Sequence, residues 1–399
     1  MKKKLSLAQL DTRDKKVLMR VDFNVPLDTE NRITDDTRIQ AALPSIQNVL
    51  EKTGSLILMS HLGRPKGRPD PAYSLRPVAD RLAELVDVPV RFASDSVGPS
   101  ATGLAGKLQN GEILLLENLR YATGETENDP GFAAGLANLG DLYVNDAFGT
   151  AHRAHASTVG VTTYFDNRAA GFLMEKELEY LGQILANPAR PFVALLGGAK
   201  IKGKVDVILN LLDKVDTLLL GGGMIFTFFK LHGLAVGNSL VDSGSLPVVK
   251  EITEKAKSSR ANLVLPEDCV VSTDFSDRGQ KKEVLVTDIP EGWQGLDIGS
   301  QTVAKYCKII EEARAIFWNG PMGVFEIPAF ATGTRAIGEA VAKATDAGCN
   351  SIVGGGDSVA ALNQLGLAGR ISHISTGGGA SLEFMAGREL PGVAALTDT

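Results

Sequence analysis

Short apolar runs recur along this chain. Each closes in glycine or polar residues, and each is followed by a segment of helical length. In the first half they are "KVLMRVDFNV", "SLILMSHLGR", "EILLLENLRY" and "DLYVNDAFGT". In the second they are "PFVALLGGAK", "TLLLGGGM", "NLVLPEDC", "AIFWNGPMG", "SIVGGGDS" and "SHISTGGGAS". Strand-length runs alternating with helical segments predict parallel sheets covered on both faces. The polar residues collect after each run, on the side where open α/β sheets bind their ligands. Between the halves, "FLMEKELEYLGQILANP" sets Met174, Leu178, Leu181 and Leu185 on one helical face, with Pro188 beyond its end. Before this segment the strand ends carry Arg, His and Asn; after it they carry Gly and Lys. The fold class expected is α/β: two doubly wound parallel-sheet domains, residues 1–171 and 188–388, joined by a connecting helix at 172–187, with a cleft between them.

Length agrees, since 399 residues at 44% hydrophobic exceed one compact core of ordinary size. No apolar run is long enough to span a bilayer, and the basic start "MKKKLSLAQLDTRDKK" lacks the apolar stretch of a signal peptide. Cys269, Cys307 and Cys349 lie far apart and cannot all pair, which suits buried thiols in a reducing cytoplasm. A net charge of -6 argues against a general nucleic-acid binder. Twelve of the nineteen arginines nevertheless precede residue 170. Arginine grips phosphate and carboxylate bidentately, so the first half suits a small anionic substrate.

The second half carries the phosphate chemistry. In "LLGGAKIKGKVD" (195–206), Gly198, Gly203 and Lys204 match the G-x-x-x-x-G-K spacing of a phosphate loop. Val205, however, stands where that motif places a Mg²⁺-binding hydroxyl. Ile201, Val205, Ile208 and Leu212 predict a helix from Ala199. Lys200 and Lys204 would then stack near its N-terminus, where they oppose each other and the helix dipole. An anion between them relieves both conflicts, while Lys202 points elsewhere. Mg²⁺ must then be held from another strand. "IVGGGDSVAAL" (352–362) offers Asp357 as a hard oxygen ligand after three glycines that admit a phosphate. Helix capping alone would also account for Asp357 and Ser358. "STGGGASLEF" (375–384) repeats the glycine turn without an acid, and neither turn has the G-x-G-x-x-G of a dinucleotide site.

These segments, with "RVDFNVPL" (20–27), "TRIQAALPSI" (37–46), "LMSHLGRP" (58–65), "LLENLRY" (115–121), "VNDAFGTAHRAHAST" (144–158), "LLGGGMIFTFFK" (219–230) and "FWNGPMGVFE" (317–326), cover nearly the whole chain. Together they resemble phosphoglycerate kinases. The resemblance implies reversible phosphoryl transfer between Mg²⁺–ATP and the carboxylate of 3-phosphoglycerate, giving ADP and 1,3-bisphosphoglycerate. It implies that Asp22, Phe23, Asn24, Arg38, His61, Leu62, Gly63, Arg64, Arg120 and Arg153 bind the phosphoglycerate, with Arg38 nearest the transferred group. Gly197, Gly198, Lys200, Lys204, Gly222, Asn319, Glu326, Gly355, Gly356, Asp357 and Ser358 would bind the nucleotide, Glu326 at the ribose and Asp357 on Mg²⁺. Arg38, Lys200, Lys204, Gly378 and Gly379 would be catalytic. The same resemblance implies a monomer, no nucleic-acid or membrane partner, and a tail (389–399) that returns to the first domain. Ser358 stands where the family usually has Thr, and "EIPAFATGT" after Glu326 is less typical.

The residue types suit that chemistry on their own terms. A carboxylate nucleophile is ionised at neutral pH and needs no general base, so transfer is mostly positioning and charge neutralisation. His152 and His155 are expected to brace Arg153, and His61 to donate to substrate. Two other readings stand beside this one. A hydrolytic NTPase would need a hydroxyl after Lys204. A two-lobed anion-binding protein would leave Lys204, Glu326 and Asp357 idle.

Overall fold

The computed structural model describes residues 2–399. The chain forms two compact units, one running to Glu179 and completed by Glu389–Thr399, the other Tyr180–Arg388. The division falls within the helix Phe172–Ala186.

The first unit is built on β1 (Lys16–Arg20), β2 (Ser55–Met59), β3 (Val90–Phe92), β4 (Ile113–Leu115), β5 (Leu142–Asn145) and β6 (Arg168–Ala170). They form one parallel sheet in the order β3-β4-β2-β1-β5-β6. β2 is buried along its whole length, as a strand covered on both faces must be. The helix Thr37–Glu51 adds Ile39, Ala42, Ile46 and Val49 at helical spacing to a core containing Val17, Met19, Leu56 and Leu58. β1 lies between β2 and β5, so the chain winds away from it in both directions and the exits of these three strands lie side by side. The C-terminal segment is fixed here by Leu5 N–H donating to Thr397 O at 2.8 Å and Gly392 N–H to Ala151 O at 2.8 Å.

The second unit holds β7 (Phe192–Leu196), β8 (Thr217–Leu220) and β9 (Asn262–Val264), then β10 (Asp268–Ser272), β11 (Lys281–Leu285) and β12 (Gln294–Ile298), then β13 (Ala315–Asn319), β14 (Asn350–Gly354) and β15 (His373–Ile374). Six of them form a parallel sheet ordered β15-β14-β13-β7-β8-β9, and the other three a small antiparallel sheet, β11-β10-β12. The parallel order is that of doubly wound nucleotide-binding sheets, with its switch point between β7 and β13. All ten apolar runs are strands. The additional strands are the three-residue edge strands β3 and β6 and the antiparallel sheet.

Candidate active site

In the first unit, polar side chains tie the strand exits together. Phe23 N–H donates to Ser60 Oγ at 2.8 Å, Gly63 N–H to Asn24 Oδ1 at 2.8 Å, and Asn118 Nδ2 to Leu62 O at 2.7 Å. On this frame Arg38 donates to Asp22 Oδ2 at 2.5 Å. Arg120 and Arg153 instead meet a carbonyl and an imidazole: Arg120 Nη1 donates to Gly63 O at 2.8 Å, and Arg153 Nε to His152 Nε2 at 3.1 Å. The cations therefore act on one another. Burial, with Arg153, Arg20 and Arg64 nearby, pushes Arg120 down to about 10. Burial and the arginines 20, 120, 38 and 153 hold His61 well below the ordinary imidazole range. A crowded set of cations of this kind is stabilised by an anion.

Two expectations change here. Phe23 and Leu62 point into the hydrophobic core, so their side chains are closed to a substrate. The strand exits turn those positions inward while their neighbours Asp22 and His61 join the polar network. His152 braces Arg153, but His155 turns to Glu125, with Nδ1 3.7 Å from Oε1, and burial lowers it to about 4.

In the second unit, three turns interlock through their backbones at the switch point. Gly197 N–H donates to Asn319 O at 3.0 Å, Gly198 N–H to Pro321 O at 2.9 Å, Gly222 N–H to Met322 O at 3.0 Å, and Met224 N–H to Gly198 O at 3.1 Å. A Cβ at Gly197 would fall 2.1 Å from Pro321 O, and one at Gly222, where φ is +66°, would fall 2.4 Å from Gly198 N. These turns wall a cavity of about 520 Å³ whose lining includes Ala199, Leu240, Phe275, Gly295, Glu326 and Asp357. Apolar walls with a few polar groups suit a flat ring carrying a charged tail.

Lys204 is half-buried, and its Nζ lies beside Gly198, 3.4 Å from where a Cβ there would be. Burial lowers its pKa against the opposing pull of Asp357. The expected helix from Ala199 is corrected: the helix is Val205–Leu212, with Lys204 as its N-cap. Ile201 is buried and anchors a tight turn in which the N–H groups of Gly203 and Lys204 both reach Ile201 O, at 2.9 and 2.8 Å. That turn stops the helix from extending backwards, so Lys200 and Lys204 are not stacked one helical turn apart. Lys200 and Lys202 are both exposed.

Asp357 is exposed in the first turn of the helix Gly356–Gln364, whose N-cap is Gly355 at φ 91°. Ser358 departs from its expected nucleotide role. It is fully buried, and its Oγ accepts the Gly320 N–H at 2.6 Å, bracing the turn after β13. Asn319 is buried, and its Nδ2 lies 2.8 Å from where a Cβ on Gly355 would be and has no hydrogen-bond partner. Gly378 caps the helix Gly379–Met385 at φ 51°, with open space beside its Cα. Among the described residues no cluster of three His, Cys, Asp or Glu could hold a metal by itself. A single exposed carboxylate fits Mg²⁺, which is completed by substrate phosphates and water. Sequence reasoning missed Leu240, Phe275, Gly295 and Asp297 in the cavity wall. Asp297 accepts the Gly333 and Ile298 N–H groups at 2.7 and 2.9 Å, and burial raises it to about 7. Of the three free cysteines, Cys269 and Cys349 are buried and Cys307 only half-buried.

One unit with crowded arginines and another with a glycine-walled pocket, a lysine and an exposed carboxylate define a class: an enzyme that moves phosphoryl groups onto or from a small anion. The family model described as "Phosphoglycerate kinase" matches residues 7–388. Similar relatives include the phosphoglycerate kinases of Chlorobium limicola, 56% identical over 99% of this chain and 100% of that one, and of Chlorobaculum tepidum, 55% identical over the same shares. Among solved structures, the phosphoglycerate kinase of Coxiella burnetii superposes with a TM-score of 0.87 at 41% identity, covering 98% of each chain. That of Pyrococcus horikoshii gives 0.84 at 34%, again over 98% of each. The chain belongs to the phosphoglycerate kinase family. It catalyses the glycolytic exchange of a phosphoryl group between ATP and the carboxylate of 3-phosphoglycerate, and the family works on Mg²⁺–ATP. No described helix is long and apolar enough to cross a membrane.

Proposed function

We propose that 3-phosphoglycerate binds the arginine cluster of the first unit and that the nucleotide occupies the glycine-walled cavity of the second. The observation that carries this reading is Arg120, which donates to the Gly63 carbonyl and is pushed down to about 10 by burial and by the neighbouring Arg153, Arg20 and Arg64, a crowding of cations that an anionic substrate would relieve. Arg120, Arg153, Arg64 and His61 hold the substrate, and Arg38, oriented by Asp22, neutralises charge at the transferred group. Gly197, Gly198 and Gly222 flank the base, Glu326 meets the ribose, and Asn319 Nδ2, with Gly355 and Gly356 beside it, faces the phosphates. Lys204 stabilises charge on the moving phosphoryl group, with the Gly378 and Gly379 turn as a second donor. Lys200, being exposed, acts only once the nucleotide is bound. Asp357 holds Mg²⁺, which supplies charge neutralisation on the nucleotide phosphates when bound. The carboxylate nucleophile needs no base, so these residues act by position and charge.

The two sets of residues belong to different units. In-line transfer needs near-attack geometry of roughly 3–3.5 Å, so the units approach each other after both substrates bind, with the 172–187 helix and the segments at its ends absorbing the rotation. The free thiols suit a reducing cytoplasm, and a monomer is what the family resemblance implies. The test is calorimetry on Arg120→Gln. The variant is expected to lose 3-phosphoglycerate binding by at least about tenfold while binding Mg²⁺–ADP normally. Unchanged phosphoglycerate affinity would overturn the site assignment.

A further inference from the structure

We propose that Arg20 is a positioning residue: through a buried relay Glu125–Ser157–Arg20–His61 it holds His61 as the neutral tautomer with its proton on Nε2. The proposal deepens the reading of His61 as a phosphoglycerate ligand, and its functional meaning rests on that reading.

Arg20 ends β1 with 1% of its surface exposed. Its guanidinium is divided among three acceptors: Nη1 donates to Val21 O, Nε to Ser157 Oγ at 3.0 Å, and Nη2 to His61 Nδ1 at 3.1 Å. A guanidinium has donors only and keeps its proton in proteins, so the third contact requires a lone pair on Nδ1. The single ring proton then sits on Nε2. A second proton on Nδ1 would aim an N–H at the guanidinium and set two cations side by side. The other cations acting on the ring reach it from the neighbouring exits: Arg38 from the start of the helix Thr37–Glu51, Arg120 after β4, and Arg153 after β5, and each disfavours an imidazolium. The acids of the same network, Asp22 on Arg38 and Glu125 beneath Ser157, act on Arg20 and favour its charge.

The rest of the relay fixes Arg20. Because Ser157 Oγ accepts from Arg20 Nε, its own proton goes to Glu125 Oε1, at 2.6 Å. Ser157 N–H donates to Glu125 Oε2 at 3.0 Å, so both oxygens of this buried carboxyl accept; burial raises its pKa, and the Arg20 charge opposes that by favouring the ionised form. Tyr143 OH donates to Ser157 O at 2.9 Å and pins the serine backbone. Without this relay a buried arginine would have to give up one of its partners, and the ring would be free to change tautomer. With it, the substrate meets the same neutral donor throughout the working pH range. That orients an anion without adding charge to a set of cations already in surplus.

The experiment is ¹⁵N NMR of the histidines in the full-length, substrate-free enzyme, with His61→Gln used to assign the His61 signals. In the native protein His61 is expected to show an unprotonated Nδ1 and a protonated Nε2 from about pH 5.5 to 8, with no titration. In Arg20→Met, tautomers mix and a titration returns toward the ordinary range. The KM for 3-phosphoglycerate then falls several-fold on acidification, as an imidazolium forms, while kcat stays within about twofold. Arg20→Lys, which keeps a cationic donor, restores the single tautomer. A proton on Nδ1 in the native enzyme, or an ordinary titration there, overturns the proposal even if no variant folds. A folded Arg20→Met that keeps one tautomer and does not titrate also overturns it. The substrate reading fails separately, if His61→Gln and His61→Ala both leave that KM unchanged. The spectrum, recorded without substrate, tests the relay alone.

Discussion

A single methyl group at Gly197 should cost the second unit several kcal/mol without removing any side-chain contact. The Cβ of Gly197→Ala would lie 2.1 Å from Pro321 O and 2.6 Å from Gly320 O. Both obstacles are backbone atoms, so no rotamer change relieves them. Reaching an ordinary contact of 3.4 Å from 2.1 Å requires the two turns to separate by about 1.3 Å. Moved that far, the 2.9 Å Gly198 N–H to Pro321 O bond and the 3.0 Å Gly197 N–H to Asn319 O bond both exceed hydrogen-bond length. Each buried pair left unmet costs about 1–3 kcal/mol, so the loss is about 2–6 kcal/mol in a domain whose total stability is on the order of 5–15 kcal/mol. Both tryptophans, Trp293 and Trp318, belong to the second unit, so their fluorescence during urea unfolding reports on it directly. Calorimetry with Mg²⁺–ADP measures the accompanying damage to the cavity wall. Gly203→Ala is the control: a Cβ there meets nothing within 4 Å, and the change should stay within about 0.5 kcal/mol. A Gly197→Ala protein with native urea midpoint and native ADP affinity would refute the steric argument.

Lys204→Ala should lower kcat by at least about a hundredfold with little change in nucleotide affinity, whereas Lys202→Ala should be nearly silent; steady-state kinetics that reversed the two would defeat the assignment. Asp357→Asn should weaken Mg²⁺–ADP binding in calorimetry and leave 3-phosphoglycerate binding intact. Asp146 accepts the Leu173 and Met174 N–H groups at 2.9 and 3.2 Å, and burial raises it to about 7. Its folded form therefore prefers the proton: its stabilising contribution is full below pH 3.8 and is lost as pH rises through 7. The stability of Asp146→Asn minus that of the native protein should accordingly climb by up to about 1.4 kcal/mol per pH unit between these limits, and a flat difference in denaturant titrations would show the carboxylate ionised throughout. Small-angle scattering should give a smaller radius of gyration with both substrates bound than with either alone; an unchanged radius in a saturated, active sample would refute closure.

The strands were legible because burial on both faces leaves a continuous apolar run, as in β2, and all ten such runs are strands. β3 and β6 escaped because three residues at a sheet edge carry too little pattern. The antiparallel sheet escaped because β11, "KKEVL", is charged and almost wholly exposed. Candidate site residues were legible where the residue type itself carries the chemistry, as with Arg120 or Asp357. They were illegible where packing decides. Ser358 and Phe23 sit among polar and charged neighbours in sequence, yet one is used to brace Gly320 and the other to fill the core. Asp297 stands alone in "GLDIGS", and only the fold brings it to the cavity beside Gly323 and Gly333.

The imperfect phosphate-loop match has a structural reason. A true phosphate loop cradles its anion with successive backbone N–H groups that run into a helix. Here the N–H groups of all three matching residues are already used: Gly198 donates to Pro321 O at 2.9 Å, and Gly203 and Lys204 donate to Ile201 O at 2.9 and 2.8 Å. The segment therefore has no cradle to offer at those positions, and the spacing agrees with the motif without sharing its geometry. What remains is the Lys204 ammonium, carried by the turn to a place beside Gly198. With Val205 lacking a hydroxyl, the proposed metal ligand comes from elsewhere: Asp357, two strands along the same sheet from β7, is an exposed carboxylate on the same cavity, and its charge acts on Lys204. In the proposed nucleotide site, grip on the phosphates is divided between separate strand exits rather than concentrated in one loop, with Lys204 after β7 and Asp357 after β14.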